Sequence, residues 1–180
     1  MNKNTLLIST VLAVLLLSSR LIMHTPNFTP VLAILLLFSM AFDKKYLFIP
    51  FIAILVSDIA LQYFSGGSYL FSPMFLSIYM IYIAIALAVY YLNKKITLFN
   101  VAINSLAAPV MFFLLSNFAV WILNGGHVYT YTFSGLLTCY TAAIPFFHNT
   151  LISTGYYSFI LFAPFFALKS LQREYSFTQK

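Results

Sequence analysis

Residues 48–61 read FIPFIAILVSDIAL, an apolar run that contains one charged side chain, Asp58. With its flanking residues the run extends from Tyr46 to Tyr63, and it is long enough to lie in lipid. A charged side chain at bilayer depth costs about 3 kcal/mol on insertion scales, so it is usually retained for a partner or a pathway. Asp58 is therefore the first residue to examine for function.

The composition of the whole chain indicates an integral membrane protein. Of its 180 residues, 62% are hydrophobic and 7% are charged, which leaves too little polar surface to coat a soluble globule. Apolar runs occupy nearly the full length, so we predict a single transmembrane domain over residues 1–180. The net charge of +6 comes from juxtamembrane lysines that meet anionic lipid, and nucleic acid is excluded as a partner.

Hydropathy and charge together predict an all-α bundle of six membrane-spanning helices. The predicted spans are residues 5–23, 29–42, 46–63, 73–92, 99–123 and 150–168. Basic residues fall at the N-terminus, after the second and fourth spans and at the C-terminus, and Arg20 alone falls on the other side. Since basic residues favour the cytoplasmic side of short loops, we expect both termini in the cytoplasm and the protein in the inner (plasma) membrane.

A seventh apolar run, residues 133–147, is predicted not to cross. It has about 15 residues, shorter than a normal span, and it contains Pro145. We expect a re-entrant or interfacial segment here, followed by a last helix that begins near Thr150 as its N-cap.

Polar residues from separate parts of the sequence fall at one level in the outer half of this bundle. We predict a ligand-binding set there: Arg20, His24, Asn27, Asp58, Asn117, Trp121, His148 and Asn149. In one interpretation Arg20 and Asp58 form an ion pair that only orders the helices. In the other, the polar groups line a pocket open to the outside, with Trp121 as a stacking wall. Both interpretations can hold together.

Catalytic and metal-binding patterns are absent from the sequence. It has neither a His-Glu-x-x-His motif nor a Gly-x-Ser setting with a helical histidine, so we expect no enzyme. The three histidines, His24, His127 and His148, are far apart in sequence and are interpreted as solvated loop residues. No metal or cofactor is expected. An enzyme that acts on a lipid or lipid-linked substrate is kept as an alternative, behind the two functions given at the end of this section.

Three segments carry a family resemblance: RLIMHTPNFTP at 20–30, SNFAVW at 116–121 and AAIPFFHNT at 142–150. They resemble signature stretches of an uncharacterised family of small bacterial membrane proteins, which in turn resembles the substrate-binding S components of energy-coupling factor transporters. That resemblance implies six helices that hold a vitamin-like small molecule near the outer face, and a separate coupling subunit with ATPases that drives its release inward.

One departure from the S components narrows the predicted ligand. Biotin-type S components have a Gly-Asp pair and a lysine after their Pro-Phe motif, where this chain has Asn149, Thr150 and Ser153. Biotin is therefore not the expected ligand. The prediction is a membrane protein that binds a small metabolite for uptake. The alternative is a non-transporting structural or accessory protein whose polar cluster only orders the bundle.

Overall fold

The computed structural model describes residues 3–22, 25–93, 95–124 and 126–178, and within these ranges it is helical with no strand. The predicted all-α, six-helix fold is confirmed. The helices are α1 (Lys3–Leu21), α2 (Val31–Ala41), α3 (Phe48–Ser65), α4 (Pro73–Leu92), α5 (Leu98–Asn124) and α6 (Phe133–Thr178), with a short 3₁₀ helix at Lys44–Tyr46 before α3. The α4 bounds are those predicted, since Ser72 accepts a hydrogen bond from the Phe75 N–H and Pro73 follows it.

Helix α2 is the centre of the bundle. Its sequence is apolar on every face, and residues 31–39 are buried without a break. The helix contacts all five other helices. A helix that is hydrophobic all round is stable only when it is enclosed on all sides, so the other five helices surround α2.

Residues 25–30, which precede α2 and are called the α1–α2 turn below, lie short of the ends of the neighbouring helices. With 11 residues, α2 rises only about 16 Å, compared with about 30 Å for the hydrocarbon core of a bilayer. Arg20, at the end of α1, contacts Asp58, which lies about 10 Å before the last residue of α3. Both α1 and α2 therefore stop short of the end that α3 reaches.

The prediction for residues 133–147 is wrong in one respect, because they form the first part of α6 and not a separate segment. Thr132 starts this helix by accepting a hydrogen bond from the Gly135 N–H over 3.1 Å. The helix continues through Pro145, and there it packs on α5. The ring centroids of Phe147 in α6 and Phe113 in α5 are 4.6 Å apart. A proline is tolerated inside a membrane helix when neighbouring helices support the chain.

Thr150 is consequently not an N-cap. It lies within α6, and its hydroxyl donates to the Phe146 carbonyl over 2.9 Å. One residue earlier in the helix, Asn149 Nδ2 donates to the Pro26 carbonyl over 3.0 Å, which places the α1–α2 turn at this level of α6. Residues 133–148 extend about 24 Å beyond that level.

The surface of the bundle is suited to lipid. Four helical stretches are long and apolar enough to cross a membrane: Lys44–Ser65, Pro73–Leu92, Leu98–Leu123 and Phe133–Ala167. Only 17% to 33% of the residues in their most apolar windows are buried, and exposed side chains such as Ile52, Met80 and Leu106 face outward. Two shorter apolar helices, Leu7–Leu21 and Val31–Ala41, accompany them. The chain is therefore a membrane protein, whereas its orientation stays a prediction.

Candidate solute-binding cavity

The predicted ion pair between Arg20 and Asp58 is present. Arg20 Nη2 lies 2.6 Å from Asp58 Oδ1, and the two side chains are 19% and 6% exposed. Tyr69, in the loop before α4, is affected by the same charges: burial and then Asp58 raise the pKa of its hydroxyl, while Arg20 lowers it less. Tyr69 therefore stays protonated at neutral pH.

Further hydrogen bonds make this pair the centre of a network that joins α1, α3 and α4. Arg20 Nη1 donates to the Ile54 carbonyl over 3.1 Å and to Ser57 Oγ over 2.6 Å. Tyr79 donates its hydroxyl to Asp58 Oδ2 over 2.8 Å. Each carboxylate oxygen of Asp58 thus has a donor, and the charge of Arg20 is balanced inside the bundle.

Beside this network lies a cavity of about 340 Å³, called the main cavity of this site below; two mostly apolar pockets elsewhere on the bundle, of about 660 Å³ and 440 Å³, are larger. Val31 and Leu32, the first residues of α2, form its floor, and Tyr82 and Phe112 contribute from the middle of α4 and α5. Its lining consists of Arg20, Asn27, Thr29, Val31, Leu32, Leu61, Tyr82, Phe112, Thr150 and Thr154. The cavity exists because α2 begins deep in the bundle, so the space above its first turn is enclosed by longer helices.

A second, smaller cavity of about 120 Å³ adjoins the first and shares Asn27, Phe112 and Thr150 with it. It lies between α5 and α6, where Asn117 and Phe147 contribute to its lining. Asn117 Nδ2 is already engaged, since it donates to the Phe113 carbonyl over 2.7 Å. The remaining lining residues of this smaller cavity are Phe113, Ser116, Ala143 and Phe146.

The structure brings together some of the predicted site residues. Arg20 and Asn27 line the main cavity, and Asn117 lines the second one. Asp58 stands behind Arg20 as its counter-ion. Asn149 lines neither cavity and instead ties α6 to the turn that carries Asn27.

The other predicted site residues lie elsewhere. Trp121 lines neither cavity: its Nε1 donates to the Thr130 carbonyl over 3.0 Å, and its ring packs against Phe118 and Tyr131. His148 is exposed on α6 and also lines neither cavity. His24 lies outside the described residues.

Sequence reasoning predicted only Arg20 and Asn27 among the ten described lining residues of the main cavity, and the eight that it missed include Tyr82, Phe112, Thr150 and Thr154. The rings of Tyr82 and Phe112 are stacked, with centroids 5.1 Å apart and planes 8° from parallel. They supply the aromatic wall that was predicted at Trp121. A signal was available for the threonines, because Thr150 and Thr154 are four residues apart and fall on one face of an apolar helix.

Among the described residues, no group of three or more histidine, cysteine, aspartate or glutamate side chains is placed to hold a metal ion. Cys139 is buried, and its Sγ lies 3.5 Å from the Asn117 carbonyl. What the arrangement offers chemically is hydrogen bonding and ring stacking within a charge-balanced space.

The fold defines an α-helical membrane protein with a polar cavity between its helices. Residues 1–177 match a family of unknown function, DUF6580, and the chain belongs to that family. No curated protein and no solved structure matches the chain. Neither the family match nor the other comparisons tie the chain to S components, so that resemblance stays a prediction.

Proposed function

We propose that this membrane protein binds a small solute in the main cavity. The observation that carries the proposal is the convergence of polar side chains from α1, the α1–α2 turn, α4 and α6 on one space inside an apolar bundle. Small-molecule sites have volumes of about 300–1,000 Å³ and combine an apolar lining with a few placed polar groups. At about 340 Å³, this cavity has room for a metabolite.

Uptake is part of the same proposal. In S components a solute binds near the outer face, and a separate coupling subunit with ATPases drives its release into the cytoplasm. Lys44 and Lys45 precede α3 and Lys95 precedes α5, at the end of the bundle opposite the cavity. If these lysines face the cytoplasm, the cavity lies toward the outside of the plasma membrane. The proposed role is binding and delivery, without catalysis.

A second role, ordering of the bundle, is favoured by the closed network around Asp58. Arg20 connects α1 to α3, and Tyr79 connects α4 to the same carboxylate. Intramembrane polar groups often stabilise helix packing in this way. The two roles are compatible, because Arg20 belongs to the network and also lines the cavity.

The test compares two identical substitutions on α6. Thr154→Leu fills the cavity, whereas Thr141→Leu changes an exposed position on the same helix. Both hydroxyls donate to a helix carbonyl, Thr154 to Thr150 and Thr141 to Thr138, so each change removes the same kind of hydrogen bond.

Each variant and the wild type are reconstituted in lipid nanodiscs, incubated with a bacterial metabolite extract, washed and analysed by mass spectrometry. We expect the wild type and Thr141→Leu to retain the same compound. Thr154→Leu should retain it at least about tenfold less, which corresponds to about 1.4 kcal/mol of binding free energy. Equal retention by Thr154→Leu, or no compound on the wild type, contradicts the proposal.

A further inference from the structure

We infer that the cavity takes an uncharged solute with a planar ring that carries both N–H and C=O groups. The inference rests on the proposed function and specifies its ligand class. Three properties of the lining carry it: its balance of charge, its stacked rings and the state of its hydrogen-bonding groups.

The charge balance excludes a ligand with a net charge. Arg20 is the one charged residue among the described residues of the lining, and Asp58 neutralises it at 2.6 Å. Tyr79 occupies the second oxygen of Asp58, so the pair is already satisfied. A charged solute placed here would have no counter-ion among the described lining residues, which disfavours its binding.

The stacked rings favour a planar solute. Tyr82 and Phe112 come from different helices, lie within 8° of parallel, and both line the cavity. A third ring placed on this pair extends the stack, and such aromatic contacts contribute about 0.5–1.5 kcal/mol beyond the area that they bury. A flat solute has the shape that can make this contact.

The hydrogen-bonding groups divide into acceptors and donors. Thr150 and Thr154 already donate their hydroxyl hydrogens to helix carbonyls at 2.9 Å and 2.7 Å, so their oxygens can only accept from a solute. Tyr82 and Asn27 line the same cavity, and neither the Tyr82 hydroxyl nor the Asn27 side-chain amide has a hydrogen bond to another described residue. They are therefore available to donate. A solute that offers N–H groups to the threonines and C=O groups to these donors matches both sides.

The experiment uses two pairs of probes that keep the ring and change the charge: benzamide with benzoate, and uracil with orotate. Thermal stabilisation of the nanodisc-embedded protein is measured for each probe at millimolar concentration. We expect the uncharged member of at least one pair to raise the melting temperature and its carboxylate partner to have no effect.

Variants connect the response to the stacked rings. Tyr82→Leu removes the ring and should abolish the shift, whereas Tyr82→Phe keeps the ring and should retain part of it. Tyr63→Leu, at a position that is 84% exposed, is the matched control and should respond like the wild type.

The remaining outcomes separate this inference from the proposed function. A carboxylate probe could stabilise the wild type and fail to stabilise Thr154→Leu. That result would overturn the inference of an uncharged ligand, while the cavity would remain the binding site. If no probe binds but a compound from the extract is retained, the structure of that compound tests the inference. An uncharged planar compound supports the inference, and a charged or non-planar compound overturns it. If nothing is retained and nothing stabilises, both the function and the ligand class are rejected.

Discussion

Tyr79 donates its hydroxyl to Asp58 over 2.8 Å, on the carboxylate oxygen opposite to the one that Arg20 contacts. Tyr79→Phe removes this bond and keeps the ring, so it should lower the free energy of unfolding by about 2 kcal/mol, as expected for a hydrogen bond to a charged group. Thermal unfolding in nanodiscs measures the change. Tyr63→Phe, at an exposed position, should leave the melting temperature unchanged. Equal effects of the two variants would show that the Tyr79 bond does not stabilise the bundle.

Asp58→Asn should destabilise the protein by about 3 kcal/mol, because it leaves Arg20 as a largely buried charge without a counter-ion. The matched control is Asp43→Asn. Asp43 pairs with Lys45 at 3.4 Å on the surface, where both side chains are more than half exposed. Loss of a surface pair should cost less than about 1 kcal/mol. An Asp58→Asn variant as stable as the wild type would refute the ion-pair account.

Asn149→Ala should loosen the α1–α2 turn, because it removes the hydrogen bond to the Pro26 carbonyl. The Phe28 amide, which donates to the Thr25 carbonyl over 3.0 Å, reports on this turn. Its hydrogen exchange should become about threefold faster, as expected for the loss of a bond of about 0.6 kcal/mol. His148→Ala, at the adjacent exposed position, should leave the exchange rate unchanged. Faster exchange in both variants would indicate a general effect on α6.

Gly135→Ala should disturb the connection between α5 and α6, because an added Cβ would overlap the Thr130 carbonyl. That carbonyl accepts the Trp121 indole N–H, so the fluorescence of the chain's single tryptophan should change. We expect a cost of about 1–3 kcal/mol from the overlap. Gly155→Ala has open space around its Cβ and should leave the emission spectrum as it is. An unchanged spectrum in Gly135→Ala would contradict the prediction.

The sequence predicts most of the helices well. Hydropathy measures how favourably side chains transfer from water into lipid, and that transfer determines which segments form membrane helices. The α4 bounds and the Arg20–Asp58 ion pair are predicted correctly. The pair is predictable because the apolar spans contain few charged residues, and these two carry opposite charges. The joining of residues 133–147 to the last helix was not predicted. Packing between Phe147 and Phe113 is a tertiary contact that local sequence signals such as Pro145 do not report.

The cavity itself is less predictable. It depends on where α2 begins relative to α4, α5 and α6, and no local pattern encodes that relative depth. Polar residues such as Asn27 and Asn117 attract attention in an apolar sequence, whereas Tyr82 and Phe112 are ordinary in a membrane helix. Only their stacking across two helices makes them part of the site.

The enclosure of α2 also has a consequence for biogenesis. A segment of 11 residues is too short to be held in a bilayer by its own partitioning, which takes about 20 apolar residues. We therefore expect α2 to enter the membrane together with α1 and to acquire its final depth only when later helices have been synthesised. A ribosome-released fragment that ends after α2 should be recognised by quality-control proteases, whereas the full-length chain should escape them.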